Sequence, residues 1–198
     1  MLQLYLIRHG QKQHIRFDPA LTELGHQQAQ KTGSFLRQLP IQKIIASPRK
    51  RTQQTAEHIS EHTKVEIVTD DRLAERMDFS AADQSVDMET FSREWLRATQ
   101  DRLFKPRWGS SSMSVSERVL SLVKELEAQH LEHVVLVSHG GTIADFLRSS
   151  VGESAVAPLW SAFPLGLDVR ITECSISHIA KNSDGFEAVA LHQTQHLA

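Results

Sequence analysis

The chain has 198 residues, 40% of them hydrophobic, with 22 Lys and Arg against 24 Asp and Glu for a net charge of −2. That length suits one large α/β domain spanning residues 1–198 with a substantial core, and the near-neutral balance excludes a general polyanion binder such as a nucleic-acid protein, so any anion site must be local. The single cysteine, Cys174, rules out an internal disulfide and fits a reducing cytoplasm, while no apolar run approaches bilayer-spanning length and the N-terminus does not read as a signal peptide.

Leu2 to Ile7 reads as a buried strand of the kind found inside a parallel sheet. It runs directly into Arg8-His9-Gly10, a cation, an imidazole and a glycine in succession. Open α/β sheets bind ligands just past the carboxyl ends of their strands, although the tripeptide alone equally fits an ordinary polar strand end. A polar loop, Gln11 to Ala20, follows, and Thr22 is placed to cap a helix running to about Leu39, before Pro40. Ile41 to Ala46 reads as a second strand. Ser47-Pro48 then suggests a helix with Ser at N-cap and Pro at N1, carrying Arg51, Thr55 and Ile59 and ending near His62. Val65 to Val68 makes a third strand. From Arg72 to Ser114 the chain is polar and interrupted, holds Trp95 and Trp108, and suggests an insertion that caps a pocket, with a helix near Met88 to Arg102. Val115 to Gln129 is an amphipathic helix, Val134 to Val137 the clearest buried strand, and Thr142 to Val151 a further helix. Strands are expected near Leu165 to Thr172, Ser175 to Ala180 and Ala188 to Leu191. This alternation implies a three-layer α/β/α sandwich with a mostly parallel central sheet and a small cap insertion around residues 72–114.

Two strand-to-helix turns share a design, Arg8-His9-Gly10 and Ser138-His139-Gly140-Gly141. Each sets a histidine directly past a buried strand and follows it with glycine, which lets a ligand approach the backbone closely. In a parallel sheet both histidines leave by the same edge. The helix that follows His139 adds free N–H groups and a positive dipole end there. Arg51 opens a third turn at that edge. Two arginines, two histidines and helix N-termini make a pocket for a compact dianion, with phosphate the obvious candidate. A neutral imidazole can attack phosphorus, arginine forks can neutralise the transferring oxygens, and a second, protonated imidazole can bind the same oxygens. Glu75, just after the third strand, is the candidate proton donor for the leaving oxygen.

The chain resembles the histidine phosphatase superfamily, in its phosphoglycerate mutase-like branch. The resemblance rests on Leu6-Ile7-Arg8-His9-Gly10-Gln11, Leu21-Thr22-Glu23-Leu24-Gly25 with Gln28-Ala29, Ser47-Pro48 with Arg51 and Gln54-Thr55-Ala56, Leu73 with Glu75, and Ser138-His139-Gly140-Gly141, in the family's order. It implies that His9 is the phosphorylated nucleophile, that Arg8, Arg51 and His139 bind the phosphoryl group, and that Glu75 donates the proton. It implies no metal and no cofactor. Gln11 and Gly140 join the expected phosphate and substrate contacts. Three departures bear on the substrate. Ile15 stands where the family often has Asn. Met77 and Asp78 follow Arg76 where mutases carry His and Tyr. Ser112-Met113-Ser114 replaces a Gly-Glu-Ser segment. With the chain's short length, these favour a phosphomonoesterase acting on a phosphorylated small molecule or phosphopeptide over a phosphoglycerate mutase. Cap cations (Arg76, Arg93, Arg97, Arg102, Lys105, Arg107) could recognise further negative charge or form a solvated face. Partners expected are a phosphorylated substrate, with no nucleic acid and no membrane; oligomeric state is unreadable.

Other patterns compete less well. His58-Ile59-Ser60-Glu61-His62 matches H-x-x-E-H, a zinc-peptidase spacing, but the segment also reads as a polar helix end without a third ligand. An esterase turn at Ser138 would need Gly at position 136, where Leu136 stands. Cys174 reads as a packing residue. A non-catalytic binder of phosphorylated ligands would keep the pocket and lose the chemistry.

Overall fold

The computed structural model describes residues 1–15, 17–79, 86–163 and 166–198. Strand β1 (Leu2–Arg8) leads through a loop to helix α1 (Glu23–Leu36), then β2 (Lys43–Ala46), α2 (Lys50–Thr63) and β3 (Ile67–Thr69). After a 3-10 turn at Asp71–Leu73 come α3 (Met88–Gln100), α4 (Ser112–Ala128), β4 (His133–Ser138), α5 (Gly140–Ser150) and α6 (Glu153–Val156). The chain closes with β5 (Trp160–Phe163), β6 (Gly166–Val169), β7 (Ile176–Asn182) and β8 (Gly185–Gln193). The main sheet has the order β3-β2-β4-β1-β7-β8, and β5 with β6 forms a separate hairpin. The three pairings among β3, β2, β4 and β1 are parallel, whereas β7 runs antiparallel to both β1 and β8.

The two central strands are apolar at successive positions because both of their faces are covered. Leu4 and Leu6 of β1, with Val134 and Leu136 of β4, pack with Leu122 and Phe146 from α4 and α5. The alternate residues Tyr5, Ile7, Val135 and Val137 pack on the other face with Leu36 and Ile59 from α1 and α2. The three-layer α/β/α architecture with a mostly parallel sheet is therefore the observed one.

Element ends differ from the sequence reading for identifiable reasons. Thr22 caps α1 as expected, accepting a hydrogen bond from the Gly25 amide at 3.1 Å, but the helix stops at Leu36, ahead of Pro40. Helix α2 starts two residues later than Pro48 would dictate, with Arg49 as its N-cap and no side-chain cap of its own. The cap comes instead from Asp18, in the loop between β1 and α1, whose carboxylate accepts from the Lys50 amide at 3.1 Å. The third strand is shorter and later than Val65 to Val68, and the strand expected near Leu165 to Thr172 is the second half of the β5–β6 hairpin; Leu165 itself lies outside the described residues.

A buried ionic cluster ties the described residues of the segment between β3 and α4 to the sheet layer. Arg76, 1% exposed, donates to Asp145 of α5 at 3.0 Å and to the Thr99 hydroxyl of α3 at 2.7 Å, with its guanidinium 4.0 Å from the centre of the Trp95 ring. Ser112 donates to Asp145 at 2.7 Å, and Arg148 donates to the Thr99 carbonyl at 2.8 Å. Arg102 completes the cluster through Ser116 at 3.0 Å and the Asp145 carbonyl at 3.1 Å. Burial pushes the Asp145 carboxyl above the ordinary range, and Arg76 pulls it back.

Removing one partner of such a buried cluster strands the others' charge. Asp145→Ala is expected to cost about 3–5 kcal/mol of unfolding free energy, against about 1 kcal/mol for the core truncation Ile59→Val, measured by urea denaturation.

Candidate active site

The parallel register of β1 and β4 sets Arg8 opposite Ser138 and carries His9 and His139 out side by side. Their rings meet edge to face with centroids 5.3 Å apart, and both are buried. Gly10 is required by backbone contact, since a Cβ there would lie 2.6 Å from the Gly25 carbonyl oxygen. The strand end thus rests on the first turn of α1, and the Gly10 amide donates to Thr55 at 3.1 Å.

The hydrogen bonds fix the chemistry of each ring. His9 Nδ1–H donates to the Gly10 carbonyl at 2.8 Å, which leaves Nε2 as a bare lone pair; Arg51 Nε–H points at it from 3.1 Å. A second Arg51 nitrogen, Nη2, lies 3.1 Å from His139 Nδ1, and Ser47 Oγ lies 2.7 Å from His139 Nε2. Ser47 thus holds His139 rather than capping α2. Burial lowers the pKa of His9 well below the ordinary imidazole range, and the charges of Arg8 and Arg51 lower it further. His139 is lowered too, first by burial and then by His9 and Arg51. Both shifts favour the neutral ring. For His9 this is the form a nucleophile needs; for His139, burial among cations opposes a standing positive charge.

Arg8 spends its outer nitrogens on the Ile171 carbonyl and on Glu173, the latter at 2.8 Å. Its buried Nε has no hydrogen-bond partner among the described residues, a donor free to meet a ligand. Arg51 is faced by Asp18 at 3.7 Å. Lys12 lines the same cavity, and burial beside Arg51 and Arg8 lowers its pKa. Gly140 borders the cavity close to Arg8, and a Cβ there would touch the guanidinium from 3.7 Å. Gln11 does not: its amide oxygen accepts from Thr22 at 2.8 Å, and it is absent from the cavity wall, so its part is to hold the loop against α1.

Glu75 also reaches the cavity, seated on the N-terminus of α5. Its carboxylate accepts from the amides of Thr142 at 3.0 Å, Gly141 at 3.3 Å and Arg76 at 2.7 Å. A Cβ on Gly141 would come within 2.7 Å of Glu75 and 2.6 Å of Trp95, so glycine makes room for both. Three donors place the Leu73–Glu75 segment: Ser138 to the Leu73 carbonyl and Thr142 to the Ala74 carbonyl, each at 2.7 Å, and Arg118, also to Ala74. The structure therefore brings together Arg8, His9, Arg51, Glu75, His139 and Gly140, all but Gln11 of the residues picked out in the sequence. Sequence reasoning missed Ser47, Lys12, Asp18, Thr142 and Glu173. For Ser47 and Thr142 the signal was adjacency to named landmarks; Glu173 is far from any of them in sequence.

The H-x-x-E-H histidines diverge. His58 pairs with His26 of α1 at 2.9 Å, and His62 bonds the His58 carbonyl of its own helix, also at 2.9 Å. Cys174 is buried, consistent with packing. No helix among the described residues is long and apolar enough to cross a membrane.

Comparison with known proteins places the chain among phosphate-ester enzymes. A probable phosphoglycerate mutase (GpmB) of Salmonella arizonae is 33% identical over 193 residues, covering 90% of this chain and 85% of the relative. Among solved structures, a mycobacterial glucosyl-3-phosphoglycerate phosphatase with inorganic phosphate superposes with a TM-score of 0.78 at 23% identity, covering 100% of both chains. A phosphoserine phosphatase of Entamoeba histolytica, in complex with 3-phosphoglyceric acid, gives 0.77 at 21% identity, again over 100% of both chains. The model of the histidine phosphatase superfamily (branch 1) matches residues 4–194, and the chain belongs to that family, whose members act on phosphate esters.

Proposed function

We propose that the protein is a metal-independent phosphomonoesterase that works through a phosphohistidine on His9. The observation that carries this reading is the unprotonated Nε2 of a buried His9, which accepts from Arg51 Nε–H in a cavity also lined by Arg8, whose Nε has no partner among the described residues. A phosphoryl group entering between them takes over the Arg51 donor that now points at the lone pair. His9 Nε2 attacks phosphorus in line, the P–O bond to the leaving alcohol breaks, and Glu75 gives that oxygen its proton. Water then attacks phosphorus, Glu75 takes a proton from it, and His9 leaves as the free base with inorganic phosphate as product. His139 joins through its Ser47 partner. A hydroxyl can either accept or donate, so Ser47 can give its proton to His139 Nε2, and Nδ1–H then donates to a phosphoryl oxygen. Uptake of a solvent proton by His139 as the dianion enters reaches the same end.

A mutase reading is favoured by the names of the curated relatives. Against it, four of the six cap cations that would hold a second acidic group are engaged elsewhere, Arg76 with Asp145, Arg93 with Glu89, Arg107 with Glu94 and Arg102 with serines, and none of the six borders the cavity. Interconversion of 2- and 3-phosphoglycerate without net phosphate release would decide for the mutase. The cytoplasm is the proposed location, on the strength of the single cysteine.

His9→Ala is expected to abolish hydrolysis of p-nitrophenyl phosphate while leaving the circular-dichroism spectrum and unfolding midpoint near wild type; surviving activity would refute the mechanism. Glu75→Gln should discriminate by leaving group, lowering kcat/KM about 10²–10³-fold for an alkyl phosphate and much less for p-nitrophenyl phosphate, whose leaving oxygen needs little protonation.

The burial that keeps His9 nucleophilic costs stability in acid. The unfolded chain takes up protons near pH 6.5, while folded His9 and His139 resist them to lower pH. Stability is therefore full above that point and falls below it, by up to about 1.4 kcal/mol per pH unit for each histidine. Denaturant unfolding at pH 7.5 and 5.5 is expected to show the loss, and saturating inorganic phosphate to narrow it.

A further inference from the structure

The cavity over His9 has a volume of about 890 Å³, the size that holds a drug-sized ligand, and a phosphoryl group fills a small part of it. Its remaining wall is unusually apolar. Met88, Phe91, Ser92 and Trp95 occupy one face of α3 at helical spacing and turn it toward the cavity. Ile15, Phe17 and Pro19 of the loop after β1 border the same space, as do Val169 and Ile171. Three of these side chains are left in solvent at the mouth: Ile15 is 59% exposed, Phe17 64% and Met88 59%. Phe17 also holds a left-handed backbone, φ 73°, uncommon for a bulky residue. Large apolar side chains gathered exposed around one opening mark a binding surface.

Among the described residues, the charged groups offset this only in part. None of the six cap cations, Arg76, Arg93, Arg97, Arg102, Lys105 or Arg107, borders the cavity. Among the acidic residues of the wall, Asp78 pairs with Arg49, and Asp168 accepts from the Trp95 indole at 2.7 Å. Lys12 stands close enough to Arg8 and Arg51 to feel their charges, at the phosphate end, and Arg170 is exposed.

We infer that the enzyme's substrates are phosphomonoesters of apolar alcohols or phenols, with the α3 face and the Ile15–Pro19 loop gripping the leaving group. This rests on the phosphatase reading and names its substrate class. Phosphate esters of small acids, such as phosphoglycerate, would leave the wall uncovered.

Alkyl phosphates test it cleanly, because chain length alters apolar area while the leaving oxygen stays the same. From ethyl to hexyl phosphate, kcat/KM is expected to rise roughly threefold per added methylene, and 3-phosphoglycerate and glycerol 3-phosphate to fall below hexyl phosphate. An Ile15→Ser, Met88→Ser double variant should shrink the hexyl-to-ethyl ratio severalfold. A flat series, or 3-phosphoglycerate as the best ester, would overturn the inference. Alkylphosphonates separate it from the reaction, since their C–P bond is not cleaved by this chemistry. If wild-type protein hydrolyses none of the esters yet binds hexylphosphonate at least tenfold tighter than ethylphosphonate by calorimetry, the phosphatase reading fails and the apolar site stands. Equal affinities overturn the site whatever the catalysis.

Discussion

The parallel pairing of β1 with β4 is the constraint on which the rest of the molecule depends. With Arg8 opposite Ser138, the next residue on each strand is a histidine, and both side chains emerge at one edge. A shift of one residue in that register would turn one histidine toward a helix layer and exchange the apolar sets that fill the two cores. The catalytic layer and the hydrophobic layers are thus held by the same ladder of backbone hydrogen bonds. Burial then does the electrical part: it favours the uncharged form of both rings, and the nearby cations Arg8 and Arg51 act in the same direction.

Neighbouring anions make such a cluster of cations tolerable. Glu173 and Asp18 each offset an arginine, and Asp18 also closes the N-terminus of α2. Glu75 sits where the α5 dipole is positive. The site is consequently balanced before any ligand arrives, and the incoming dianion finds donors already aimed, a preorganised arrangement that costs little to complete.

Most of this was legible in the sequence because the informative residues are local to strand ends. Continuous apolar runs mark doubly covered strands, and His9, His139, Arg51 and Glu75 each follow one within a few residues. What the sequence hid depends on long-range placement. Ser47 resembled a helix cap, and only the fold shows its hydroxyl on His139, a residue 92 positions away. Arg76 and Arg102 read either as ligands for substrate charge or as part of a solvated face, since nothing local reveals that Asp145 of α5 receives them. The β5–β6 hairpin was read as a single strand, because a short pair outside the main sheet lacks the alternation that one buried face imposes. The apolar cavity wall was obscured for the same reason: Ile15 and Phe17 sit in a polar loop and meet the α3 stripe only in three dimensions.

Helix α5 is grasped at two points. Its first turn carries the Glu75 carboxylate, and Asp145, in its middle, anchors Arg76, the adjacent residue in the chain, together with α3 and α4. Roof and proton donor are therefore mounted on one short rod. In the proposed reaction, any displacement of that rod would therefore shift the acid and the α3 wall of the cavity together.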